Sequence, residues 1–232
     1  MMKNLLCFGH RGAAGHAPEN TLLAVETGVS LGADWIEIDV YAVEDELVVI
    51  HDDRLERTTN GSGYVMEKSL LYLRTLDAGN GEKIPFLREV FELVDRRVGI
   101  NVELKGPGTA LPVSELIDFY IKHNGWHYNQ FIVSSFDHRE LQKMQLLQPR
   151  IQIGFLIYGR PLHFLQSLRS VSAFSLHASQ DFIDQTLVKE AQESGLKVFV
   201  YTVNRIDELE RLISLGIDGV FSDFPDKILK SR

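Results

Sequence analysis

The sequence predicts a (β/α)8 TIM barrel with a small insertion after strand 2. Strand-length apolar runs alternate with segments of helical period along the whole chain, which argues for βα units around a parallel sheet. Eight such runs can be read, the number a closed barrel needs. Residues of catalytic type also fall at or just after the ends of several runs, where a barrel gathers them at one mouth. At 232 residues the chain suits one barrel with a large core, so residues 1–232 are read as a single domain.

The predicted strands are 5–9, 34–40, 98–104, 131–135, 151–157, 173–178, 196–202 and 219–222. Between them, Val113, Leu116, Ile117, Tyr120 and Ile121 repeat at helical spacing over 112–124, with Pro112 suited to the first helical position. Asp137 with Glu140 resembles a capping box, and Asp184 and Asn204 are read as N-caps. Gly195 and Gly216 stand where helices should stop. The rhythm fails between 41 and 84. There, Leu47-Val48-Val49-Ile50 reads as an extra short strand before the polar Thr58-Thr59-Asn60-Gly61-Ser62-Gly63. Residues 53–83 are therefore read as an insertion capping the active mouth.

The bulk properties exclude several classes of function. Lys and Arg total 24 against 32 Asp and Glu, a formal net charge of -8, which opposes binding to nucleic acid or stable association with an anionic membrane. An anionic substrate then needs local positive charge. The single cysteine, Cys7, rules out an intramolecular disulfide and lies in an apolar run that suits a buried thiol. No stretch reaches the roughly 20 apolar residues of a membrane span, and the apolar run of about five residues near the N-terminus is too short for a signal segment. The expectation is a cytoplasmic protein.

Four segments carry the chemistry: His10-Arg11-Gly12, Glu37-Ile38-Asp39, His51-Asp52 and Glu103-Leu104-Lys105. Glu37 and Asp39 are two apart on a strand, so both side chains point to the same face. Such charges are costly inside a barrel unless they are paired or bound to metal. Glu103 and Lys105 repeat the arrangement on the next barrel strand. Oxygen ligands suit Mg²⁺ or Ca²⁺, while the lack of cysteine and of His-x-x-x-His in these segments argues against structural zinc. His10 and His51 are the natural acid and base pair, histidine being the side chain that changes charge near neutral pH, and Arg11 offers a fork for phosphate oxygens. The alternatives are structural salt bridges, such as Arg11 to Glu19 or Asp39. Ser134-Ser135-Phe136, His177 and Tyr201 are read as pocket-lining, Asn204 as pocket-lining or, more simply, a helix cap, and Asp223 as orienting Arg11 or Lys105 or capping the last turn. His16, in a glycine-proline turn, is read as exposed. The mixture points to metal-assisted phosphodiester cleavage.

Together with Pro18-Glu19-Asn20-Thr21 and Tyr201-Thr202-Val203-Asn204, these segments resemble the glycerophosphodiester phosphodiesterase family over essentially the whole length. The resemblance implies a barrel that hydrolyses small-molecule glycerophosphodiesters to glycerol 3-phosphate and an alcohol. It further implies that His10 and His51 are acid and base, that Glu37, Asp39 and Glu103 are ligands for Mg²⁺ or Ca²⁺, and that Arg11 and Lys105 contact phosphate. Tyr201 stands where the family often has tryptophan, keeping an aromatic platform against the substrate. The first nucleophile is either water or the glycerol 2-hydroxyl. Phospholipases C or D acting on membrane lipids share the fold, and that alternative needs an apolar rim, for which Leu70, Leu71, Tyr72 and Leu73 are the candidates.

Overall fold

The computed structural model describes residues 5–162 and 164–231. Nine strands form one sheet: β1 (Leu6–Gly9), β2 (Trp35–Val43), β3 (Glu46–Val49), β4 (Gly99–Leu104), β5 (Phe131–Ser135), β6 (Gln152–Ile157), β7 (Ser175–Ser179), β8 (Lys197–Tyr201) and β9 (Gly219–Ser222). All but β3 pair in parallel in the order β1-β2-β4-β5-β6-β7-β8-β9, and β9 returns to β1, so the eight close into a barrel. β3 is the predicted extra strand. It folds back antiparallel on the far end of β2, Val40 pairing with Val49.

Helices α1 (Leu22–Ser30), α3 (Leu87–Val94), α4 (Ala110–His123), α5 (His138–Leu147), α6 (Phe164–Ser170), α7 (Gln185–Glu193), α8 (Ile206–Ser214) and α9 (Pro225–Leu229) alternate with the strands, and the short α2 (Leu70–Thr75) lies in the insertion. One large apolar cluster joins the outer strand faces to the helices, including Val90, Phe91, Ile117, Leu141, Leu187 and Leu212. A smaller one fills the barrel: Phe8 lies against Phe221 and Phe199, with ring centroids 4.5 and 4.8 Å apart. Each such ring contributes about 1.5–3 kcal/mol by leaving water. Residues 53–83 pack Leu55, Val65, Leu73, Leu76 and Ala78 with Val48 and Ile50 of the β3 region, so the insertion has a small core of its own.

The caps correct three expectations. α4 begins at Ala110, so Pro112 is its third residue; the position is still within the first turn, where no intrahelical N–H bond is lost. Asp137 does cap α5 by accepting from the Arg139 amide, but Glu140 does not complete a capping box. Its buried carboxylate instead accepts from the Ala110 amide at 3.0 Å, capping α4 from a neighbouring helix, and from Lys143. The cap of α8 is Arg205, and Asn204 does other work, described below. Asp184 caps α7 through the Leu187 amide as read, and Gly195 and Gly216 follow helix ends at positive φ. Of the expected apolar rim, Leu73 is buried and Leu70 packs on the insertion's core, leaving Leu71 and Tyr72 exposed. No helix among the described residues is long and apolar enough to cross a membrane.

Candidate active site

Strand register assembles the acidic centre. Asp39 on β2 is the direct partner of Glu103 on β4, and Glu37 lies two residues before Asp39 on the same inward face. One carboxylate oxygen from each of Glu37, Asp39 and Glu103 lies within 4.8 Å of the others, all three side chains being buried. Burial, together with repulsion from Asp39 and Glu103, holds the Glu37 carboxyl well above the usual range. Burial and Asp39 push Glu103 up to about 7. Burial also opposes ionisation of Asp39, but Lys105, His51 and Arg11 together keep its carboxyl below the usual value. Glu37 Oε1 is buried without a hydrogen-bond partner among the described residues. Three converging hard oxygens, one of them orphaned, fit a divalent cation held by carboxylates.

The two cations flank this centre. Arg11 adopts φ 50°, a left-handed conformation that directs its amide to Glu37 Oε2 at 2.8 Å. Gly12 follows at φ 88°, where a Cβ would stand 2.4 Å from the Ala24 carbonyl carbon of α1, so the turn closes only with glycine. The Arg11 guanidinium reaches Glu19 at 2.7 Å and lies 3.6 Å from Asp39, which are the salt bridges foreseen as its alternative role. The Asp39 contact is made by Nε, which is buried and too far from Oδ2 for a hydrogen bond. Lys105 Nζ donates to Glu103 at 2.8 Å and lies 3.7 Å from Asp39. Burial disfavours its charge, yet the two carboxylates hold it protonated beyond the ordinary lysine range.

Both histidines are held alike. His10 Nδ1 lies 2.6 Å from Asp223 Oδ1, and His51 Nδ1 lies 2.6 Å from Asp52 Oδ1, so each ring donates that proton to a carboxylate and frees Nε2. His10 Nε2 is 4.0 Å from Glu37 Oε2. His51 Nε2 is 3.2 Å from Lys105 Nζ, and because an ammonium only donates, that nitrogen carries a lone pair. Burial lowers the His51 pKa, with Lys105 and Arg11 adding to it against the opposing pull of Asp39.

The carboxylates are themselves clamped, mostly by residues for which no such role is readable from the sequence. Asn204 donates to Asp223 Oδ2 at 2.6 Å and accepts from the Asp223 amide, so Asp223 orients His10 and neither Arg11 nor Lys105. Asn20 donates to Asp39 Oδ2 at 2.9 Å and accepts from the Asp39 amide. Arg57, from the insertion, binds Asp52 and Glu19 with two hydrogen bonds each, linking the mounts of His51 and Arg11. The only available signals were Asn20 within its motif and Asp52 beside His51.

The cleft between these groups has a volume of about 210 Å³, with Phe136, Leu156, Tyr201 and Phe221 on its apolar side. Tyr201 is fixed by donating to the Ile157 carbonyl at 2.7 Å. Ser134 lines the floor and accepts from Asn101, whereas Ser135 turns away to the Leu104 carbonyl. His177 lines the cleft as read, at its wholly buried bottom, with Nε2 2.9 Å from the Ser175 hydroxyl. His16 is exposed as read and also engages Asp226 at 2.7 Å, away from the site. Cys7 is buried.

A closed parallel barrel with this charge pattern at the C-terminal ends of its strands defines an enzyme acting on an anionic ester. The chain belongs to the glycerophosphoryl diester phosphodiesterase family, whose model matches residues 10–227, and is a phosphoric diester hydrolase. It is 37% identical to a glycerophosphodiester phosphodiesterase of Caldanaerobacter subterraneus, over 98% of this chain and 97% of that one. A human lysophospholipase D is 27% identical over 95% of this chain and 84% of its own length. Among solved structures, an Oleispira antarctica phosphodiesterase in complex with the product sn-glycerol-3-phosphate superposes with a TM-score of 0.90 at 32% identity, covering 97% of this chain and 96% of that one.

Proposed function

We propose that the protein hydrolyses glycerophosphodiesters to glycerol 3-phosphate and an alcohol, with Mg²⁺ or Ca²⁺ held by Glu37, Asp39 and Glu103. The observation that carries this reading is the buried triad with its orphaned Glu37 oxygen, an arrangement that is unfavourable without a cation. The bound product of the Oleispira relative supports the identity of the product. When bound, the cation supplies Lewis-acid charge against the phosphate oxygens. Arg11 and Lys105 bind the phosphate and stabilise the negative charge that grows in the transition state. Tyr201, Phe136 and Leu156 pack against the glycerol carbons. One histidine takes the proton of the attacking hydroxyl, while the other returns a proton to the departing alkoxide. Asp223 and Asp52 keep each ring turned for that exchange.

The direct test is turnover of a panel of glycerophosphodiesters with and without chelator. Activity should vanish on exhaustive chelation and return with Mg²⁺ or Ca²⁺. Full activity in metal-free protein would overturn the reading.

A further inference from the structure

Arg57 stands outside the cleft yet holds the mounts of two groups inside it. Its guanidinium is about half exposed and is not among the residues that line the cleft. Nε and Nη2 donate to the two oxygens of Asp52 at 2.6 and 2.9 Å, while Nη1 and Nη2 donate to the two oxygens of Glu19 at 2.7 Å each. One planar fork thus spans two carboxylates side by side. Asp52 Oδ1 in turn holds His51 Nδ1, and Glu19 Oε1 holds the Arg11 guanidinium.

Without the fork these mounts would lose their direction. The remaining side-chain hydrogen bond to Asp52 among the described residues comes from His51, and the one to Glu19 comes from Arg11. A carboxylate held only by the group it orients can turn with that group, so it fixes nothing. Arg57 also keeps both acceptors ionised. Its hydrogen bonds hold the Asp52 carboxyl well below the usual range, and with Arg11 it keeps Glu19 below that range although burial pushes the other way. The backbone that carries Arg57 is anchored as well. Leu55 is fully buried in the small core of the insertion, and its carbonyl accepts from the Thr59 amide at 3.1 Å and the Thr59 hydroxyl at 2.7 Å, closing a turn with Arg57 in the middle.

We infer that Arg57 is a positioning residue for the hydrolysis, a double clamp from the insertion that aligns His51 through Asp52 and Arg11 through Glu19. The inference rests on the roles given above to His51 and Arg11 and adds what makes them act together. It also gives the segment 53–83 a task in turnover, the delivery of this guanidinium.

The test compares the metal-saturated full chain with Arg57→Ala and Arg57→Lys on glycerophosphocholine. Arg57→Ala should lower kcat/KM by roughly tenfold to hundredfold, the scale expected when a catalytic group loses its orienting partner. Its Tm should move by less than about 4 °C, because exposed ion pairs contribute little to folding. Arg57→Lys should recover little of the loss, since an ammonium lacks the fork that reaches both carboxylates, and added guanidinium should partly restore Arg57→Ala where ammonium does not. Arg54→Ala, on the same segment but paired with Glu56, should keep kcat/KM within about twofold of the parent. In the Asp52→Asn background, Arg57→Ala should cost roughly threefold less than in the parent, one arm of the clamp being already lost. Parent-like kcat/KM in Arg57→Ala, full activity in Arg57→Lys, or strict additivity with Asp52→Asn would overturn the clamp while leaving the hydrolase reading intact. Arg57→Lys keeps the charge and decides the case should Arg57→Ala unfold. Absence of turnover in the parent would overturn both.

Discussion

At the scale of single residues, the site is two histidines on matched carboxylate mounts. His10→Ala and His51→Ala should each cost roughly two to four orders of magnitude in kcat/KM, and each should remove one limb of a bell-shaped pH profile. A diester with a nitrophenyl leaving group separates the roles, since such a group departs without a proton: the variant whose defect disappears on that substrate has lost the acid. If both defects persist undiminished on the activated ester, neither histidine protonates the leaving group. The residues called catalytic from sequence are those whose chemistry shows locally, such as an imidazole after a strand or two acids on one strand face. Asp223, Asn204 and Arg57 were illegible in their roles because their partners lie far away in sequence; Arg57 meets Glu19 across 38 residues. Asn204 reads as a cap because an asparagine before a helix ordinarily is one, and here the demand of a partly buried carboxylate outweighs that of the helix amide.

At the scale of elements, strands are the most legible because both of their faces are buried, so short runs rich in apolar residues stand out from the half-polar helices. Helix starts were less so: α4 is capped by Glu140 from α5, and no local rule finds a cap that comes from another helix. Removing that carboxylate with Glu140→Ala should cost about 1–3 kcal/mol, since the Ala110 amide is buried and left without a partner. Urea unfolding of the variant checks the figure. The insertion offers a sharper contrast. Leu73 is its fully buried anchor, and Leu73→Ala should loosen 53–83 by about 2–5 kcal/mol. Hydrogen exchange should then quicken in 53–83 and leave β4 to β8 protected. Uniform quickening through the barrel would show that the segment belongs to the main core. Because Arg57 rides on this segment, the same variant should also slow turnover through His51, without any change to a residue that touches substrate.

At the scale of the whole molecule, the barrel carries a latent acid sensitivity. Burial pushes His177 down to about 3 from its ordinary 6.5, and its Nδ1 has no partner among the described residues. The folded chain therefore stays unprotonated there while the unfolded chain takes up a proton below 6.5, so stability falls as pH drops from 6.5 toward 3. The loss should approach about 1.4 kcal/mol per pH unit in that window. His177→Gln should flatten the slope, as measured by urea unfolding at roughly pH 7.5 and pH 5. An unchanged slope would mean that His177 is not the group responsible. The closed barrel is legible as eight alternating units, whereas this sensitivity is not, because a histidine in a strand reads the same whether its ring is hydrated or wholly buried. Closure also sets a timetable. His10 sits at the end of the first strand and its mount, Asp223, directly follows the last, 213 residues later. During synthesis the imidazole emerges from the ribosome 213 residues ahead of the carboxylate that orients it. A nascent chain is thus kept silent until its seam is sewn, and a truncation that spares Glu37, Asp39 and Glu103 but removes the end of β9 and Asp223 should release a protein with no working catalyst.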